Sequence, residues 1–202
     1  MEDKTFPPIS AQLQQLYDDI VRNELKLRVW SGYETGIAKL SLLEDNADWV
    51  MIECTELNLS DELCNRFKCW QENSTDQQLL DSEGLELAKA LKKTHCYGVI
   101  VEYRYLDFVQ KIVSYQVRAD YTVSLWNDVW SAIDLEYIEE DLGGYVIEDI
   151  QALQERFTQW EEWHYRQLTE DIDRDAFDQE GEELAKELQK RLPEYCVVYY
   201  VP

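Results

Sequence analysis

One passage of this sequence is written twice, so a fold that suits the first copy must also suit the second. Asp81, Glu83, Gly84, Glu86, Leu87, Ala88, Lys89, Leu91 and Lys93 recur, at an offset of 97 positions, as Asp178, Glu180, Gly181, Glu183, Leu184, Ala185, Lys186, Leu188 and Lys190. Val101 and Tyr103 recur as Val198 and Tyr200. Each copy reads as an amphipathic helix, N-capped by Asp81 or Asp178, that runs into a strand, Val99–Tyr103 or Val197–Val201. Glu83 and Glu180 add charge of the favourable sign to the first turn. Gly84 and Gly181 each cost about 1 kcal/mol of helix propensity relative to alanine, so their reuse implies that another element approaches the helix closely.

A second correspondence precedes the first. Leu63, Arg66, Phe67 and Trp70 recur as Leu153, Arg156, Phe157 and Trp160 at an offset of 90. The change of offset gives the second copy about seven additional residues between its two helices, in the segment Glu170–Asp178. The pattern predicts an α+β fold of two related α+β units, with a mainly antiparallel sheet, helices packed on one side and an additional N-terminal helix. A leader and helix take residues 1–24, a first unit 25–107 and a second unit 108–202, in one compact domain.

Local signals place the remaining elements. Ile9, Leu13, Leu16, Tyr17, Ile20 and Val21 form the stripe of a helix capped by Ser10. Leu25, Leu27 and Val29 alternate with Lys26, Arg28 and Trp30 as in a half-buried strand. Further strands are expected over Gly36–Leu43 and Trp49–Cys54, with Asn46 and Asp48 in the loop between them, and Ser60 caps the next helix. Val113–Trp126 holds two strand-like runs with a bend at Asp120. Ile133–Ile138 reads as another strand, Gly143 and Gly144 as a turn, and Val146–Leu168 as a long helix.

The net charge is −23, and it is unevenly spread. Asp134–Glu183 holds 18 acidic and 3 basic residues. Such a field disfavours nucleic acid and anionic lipid and favours a basic protein partner. Five cysteines with no C-x-x-C pair suit a reducing compartment, and residues 1–8 lack an apolar signal core, so a cytoplasmic location is expected. Composition leaves the oligomeric state open.

No catalytic signature stands out, and no cofactor is implied. Two histidines, no G-x-S-x-G and dispersed glycines exclude the familiar nucleophile and phosphate-loop arrangements. Asp171, Asp173, Asp175 and Glu182 occupy positions 1, 3, 5 and 12 of a calcium loop, but Ala176 stands where the sharp turn needs glycine and Asp178 where an apolar residue belongs. A solvated acidic loop is the simpler reading. Glu161 and His164 form one Glu-x-x-His pair, which does not make a metal site. His95 is placed to meet the negative end of the repeated helix.

What remains is an acidic face from Asp128 to Glu183 punctuated by Trp126, Trp130, Tyr137, Tyr145, Trp160, Trp163 and Tyr165. Most of these aromatics, Trp160 included, are expected in the core. In charge, size and empty catalytic inventory the chain resembles nucleic-acid-mimicking inhibitors. With its duplicated E-G-x-E-L-A-K helix and trailing strand, it resembles bacterial polymorphic-toxin immunity proteins of the contact-dependent inhibition type. The resemblance implies a non-catalytic protein that neutralises a basic toxin, in the first place a nuclease. Glu139, Glu140, Asp141, Glu161, Glu162, Asp171, Asp173 and Asp175 are the candidate partner-binding residues. A scaffold or adaptor whose acidity serves solubility is the alternative.

Overall fold

The computed structural model describes residues 25–31, 35–43, 46–73, 77–95, 99–105, 108–120, 123–127, 132–166 and 171–202. The chain is α+β and divides into two compact units, residues 1–111 and 112–202. The expected N-terminal helix lies outside the described residues.

The first unit opens with β1 (Leu25–Ser31), β2 (Gly36–Leu43) and β3 (Asn46–Ile52). Leu25, Leu27 and Val29 are buried, as their alternation requires. β1–β2 and β2–β3 are antiparallel, and the register pairs Leu43 with Asn46, so Asn46 and Asp48 belong to β3. Ladder pairing overrides their turn preference, and the expected loop there is corrected. A 3₁₀ turn (Cys54–Leu57) leads to α1 (Asp61–Glu72), where the Ser60 hydroxyl accepts from the Leu63 amide at 3.2 Å. Helix α2 (Gln77–Thr94) then crosses over to β4 (Val99–Tyr105), which pairs with β1 in parallel. β1 therefore lies between its hairpin neighbour and the closing strand.

The second unit follows the same order. β5 (Phe108–Asp120), which enters this unit at Ile112, pairs antiparallel with β6 (Val123–Asn127). The pairing is irregular between Val117 and Asp120, where a bend was expected. α3 (Leu135–Asp141), α4 (Ile150–Arg166) and α5 (Arg174–Arg191) follow. β7 (Cys196–Tyr200) closes the unit, pairing with β5 in parallel. The pairing is mixed and mostly antiparallel, as expected, with one parallel pair in each unit. Hairpins announce themselves in local sequence, whereas a parallel pair needs a distant crossover.

Two element types differ from expectation. Ile133–Ile138 is not a strand: α3 begins after Asp134, with Leu135 and Ile138 buried at helical spacing. Asp81 and Asp178 do not cap their helices. α2 already begins at Gln77, and α5 is capped one turn before Asp178 by Asp173, whose carboxylate accepts from the Ala176 amide at 3.1 Å. α4 starts at Ile150, later than Val146, and runs to Arg166, so the seven additional residues divide between a longer helix and a longer connection.

Equivalent side chains make equivalent contacts in the two units. Leu63, Phe67 and Trp70 are buried on α1, and Leu153, Phe157 and Trp160 on α4. Arg66 reaches Glu83 at 2.9 Å, and Arg156 reaches Glu180 at 2.8 Å, so these glutamates tie two helices together instead of facing a first turn. A Cβ on Gly84 would lie 2.7 Å from the Tyr103 ring and 2.8 Å from that of Trp70. On Gly181 it would overlap the Tyr200 ring and lie 2.7 Å from Trp160. The close approach inferred from the repeated glycine is a ring wedge from helix and strand. Lys92, buried near the end of α2, donates to the Val99 carbonyl at 2.7 Å, and Gln189 on α5 donates to that of Cys196 at 3.0 Å.

Candidate partner-binding site

Within the second unit, α3 and the loop after it form an exposed surface of mixed character. α3 starts after Asp134, whose carbonyl accepts from the Tyr137 amide at 3.0 Å, and Leu135 and Ile138 are buried on its inner side. Gly144, at φ +88°, donates its amide to the Glu139 carbonyl at 2.6 Å. Gly143, at φ +72°, donates to that of Glu140, so glycine is required where the chain turns through the left-handed region. The turn leaves Tyr137, Tyr145 and Val146 exposed, Val146 at 73%. Ile147 is buried, and its amide donates to the Glu139 carboxylate at 2.8 Å. Glu136, Glu140, Glu148 and Asp149 are exposed around the apolar residues. Exposed aromatic and aliphatic groups bordered by one sign of charge are suited to a protein of the opposite charge.

The predicted carboxylates fall into two groups with different duties. Glu139 holds the loop, as above. Asp141 accepts from the hydroxyl of buried Tyr115 at 2.8 Å, and Glu161 accepts from the Ser124 hydroxyl. Asp173 is spent as a helix cap. The side chains of Glu140, Glu162, Asp171 and Asp175 are exposed. The first two groups of the predicted face, on α3 and on α4, belong to helices that pack together. Tyr137, Tyr145 and Val146 are the residues that charge counting passes over. The first two were visible as aromatics beside acid, and nothing in local sequence marks Val146.

Of the other aromatics of the face, Trp160 and Trp163 are structural, Tyr165 is exposed and Trp130 lies outside the described residues. Phe177 stacks on Trp160 at 4.8 Å between ring centres, and Trp163 meets Phe177 edge-on at 5.7 Å. His164 also lies against Phe177, at 6.1 Å. The calcium-loop spacing is undone by the helix: from Arg174 the chain is helical, which spreads Asp175 and Glu182 along its axis. Among the described residues no group of three His, Cys, Asp or Glu is placed to hold a metal ion.

In the first unit, crevices flank α1. One of about 610 Å³ lies towards α2 and is lined by Glu62, Arg66, Cys69, Trp70, Asn73 and Glu83, among others. Another, of about 540 Å³, lies towards the 3₁₀ turn and includes Cys54 and Cys64. Burial and the neighbouring Cys64 thiol push the Cys54 thiol up to about 12. His95, after α2, is held below its ordinary value by burial.

Comparison with known proteins singles out the second unit. Residues 114–202 match the Serratia CdiI immunity protein-like family. No curated protein and no solved structure matches the chain. The match begins within β5 and runs through β7, so it takes in the α3 surface and the Trp160–Gly181–Tyr200 wedge. It supports the resemblance to immunity proteins of contact-dependent inhibition, and such a protein has a toxin as its partner. No helix among the described residues is long and apolar enough to cross a membrane.

Proposed function

We propose that this chain is a cytoplasmic immunity protein that binds a basic toxin domain, taken here to be a nuclease, and neutralises it by occluding its active site without catalysis. The observation that carries the proposal is that the family match falls on the unit presenting the acidic, apolar α3 surface. Tyr137, Tyr145 and Val146 supply the desolvated contact, and Glu140 with its acidic neighbours supplies steering towards the lysines and arginines of a substrate groove. Glu162, Asp171 and Asp175 add to the field. The net charge of −23 acts in the same direction, against nucleic acid and anionic membranes as partners.

The matched contacts of the two units support a further element of this reading. The chain is two copies of one module, of which the second keeps the family pattern. Strand order, the Arg–Glu bridge, the Trp–Gly–Tyr wedge and the helix-to-strand bond of Lys92 or Gln189 all recur.

The test is co-expression with the toxin domain encoded by the adjacent reading frame, followed by binding of the purified proteins. Rescue of growth is expected, as is an association rate that falls steeply as salt is raised. Joint replacement Glu140→Lys and Glu148→Lys is expected to slow association, and Tyr137→Ala to speed dissociation. Failure to protect cells, or association indifferent to ionic strength, overturns the reading.

A further inference from the structure

The two units treat the space beside their matched tryptophans differently. In the second, α4 continues to Arg166 and brings Trp163 against Phe177, which in turn stacks on Trp160. In the first, α1 ends at Glu72. The position equivalent to Trp163 is Asn73, and the one equivalent to Phe177 is Leu80. Beside Trp70 there is instead the crevice of about 610 Å³, walled by Cys69, Trp70 and Asn73 and bordered by Glu62 and the Arg66–Glu83 pair. Its volume falls in the range of sites that accept small organic groups.

We infer that this crevice is a docking site in the first unit for an aromatic side chain of a cationic protein partner, placed where the second unit inserts an aromatic of its own. The inference rests on the proposed function for the identity of that partner as a toxin domain. Its geometry stands on the first unit alone. An indole or phenol ring entering here would lie against Cys69 and Trp70. The border carries two carboxylates, Glu62 and Glu83, against the one guanidinium of Arg66, so a basic group beside the ring is the complementary flank. The chain's charge of −23 reinforces the preference. A ring that fills such a crevice and excludes water is the kind of anchor on which an interface's affinity concentrates.

The experiment uses the full chain and 5-fluorotryptophanamide, a cationic indole, observed by fluorine NMR. Saturable binding with a Kd on the order of 1 mM is expected for a ligand of this size. The anionic probe N-acetyl-5-fluorotryptophan is expected to bind at least about threefold more weakly, as an exposed charge contrast allows. Asn73→Trp, which copies the second unit's own plug, is expected to cut binding at least about tenfold, as loss of the ring's contact area implies. Amide shifts in the unmodified chain must fall on Asn65, Cys69 and Asn73, a readout that holds even if the variant does not fold. Absence of saturable binding, shifts elsewhere, or undiminished binding to a folded Asn73→Trp protein overturns the inference. Because the probe is not a toxin, its failure leaves protection by the second unit intact. Loss of toxin protection with probe binding preserved would remove the toxin reading alone.

Discussion

Replacing Gly84 or Gly181 by alanine sets two effects of opposite sign against each other. A helix-interior alanine gains about 1 kcal/mol over glycine from propensity alone. The new methyl at Gly84 would sit 2.7 Å from a Tyr103 ring carbon and 2.8 Å from a Trp70 ring carbon. Carbon–carbon contacts are most favourable at about 3.5 to 4.0 Å, so one ring must retreat by roughly 1 Å. Both rings are buried, and overpacking of this kind costs about 1 to 3 kcal/mol. The net expectation for Gly84→Ala is a loss of up to about 2 kcal/mol, with valine worse by at least about 1 kcal/mol. At Gly181 the displaced ring is Tyr200, whose hydroxyl donates to Asp178 at 2.7 Å and would be pulled from it. A hydrogen bond to a charged group contributes about 1.5 to 3 kcal/mol, so Gly181→Ala is expected to cost at least as much. Urea midpoints read by far-UV circular dichroism give the values, with the double variant Gly84→Ala, Tyr103→Leu as the control. Leucine lacks the offending ring carbon, so the pair should couple favourably by more than about 0.5 kcal/mol. If alanine stabilises the protein at either position, or the double variant shows no coupling, the wedge is not tight and the reasoning fails.

Three further outcomes are expected. Lys92→Gln should leave the urea midpoint within about 1 kcal/mol of the parent, because Gln189 already makes the equivalent bond to a strand carbonyl with a neutral amide; a loss above about 3 kcal/mol would show that the ammonium itself is needed. With iodoacetamide at pH 8, exposed Cys69 should be alkylated well before Cys54, whose thiol near 12 leaves a thiolate fraction of about one in ten thousand; equal rates by peptide mass spectrometry would contradict the placement of Cys54. Burial holds His95 below 6.5, so the unfolded chain takes up that proton first as pH falls. The stability tied to neutral His95 is complete above 6.5 and is lost on the way down, and His95→Gln should flatten the difference in midpoint between pH 7.5 and pH 5.5. An unchanged slope would mean that the group is not desolvated.

Sequence patterning revealed the parts of this fold that depend on neighbours a few residues away. The alternation of Leu25, Leu27 and Val29, the Ser60 cap and the spacing of Leu63, Phe67 and Trp70 are local signals, and each became the expected element. Gly84 and Gly181 pointed to close packing because a helical glycine has a known cost. The errors arose where a distant partner claims a residue. Asp178 looks like a cap by its acidic neighbours, but Tyr200, from the last strand, takes its carboxylate, and Asp173 caps one turn earlier. In the candidate site, a count of negative charge cannot separate Glu140, whose side chain is exposed, from Glu139 and Glu161, which hold a loop amide and a serine hydroxyl. Composition likewise ranks Trp160 and Tyr137 together as aromatics beside acidic residues. Only the packing of α5 buries the first and leaves the second exposed.

The differences between the units bear on where specificity resides. Residues that match between them bridge helix to helix, as in Arg66–Glu83 and Arg156–Glu180, or seat a helix on a strand through the Trp–Gly–Tyr wedge. Changing any one of these requires a compensating change on another element. The segment between the hairpin and the helix pair is less alike: among the described residues it buries Leu57 in one unit, and Leu135, Ile138 and Ile147 in the other. It is a strand in the first unit, with Val50 and Met51 exposed, and a helix and loop in the second, with Tyr137 and Val146 exposed. A scaffold that keeps the helix pair and the closing strand and varies this segment can present unrelated surfaces. That arrangement suits a protein whose partner must be recognised by surface complementarity alone.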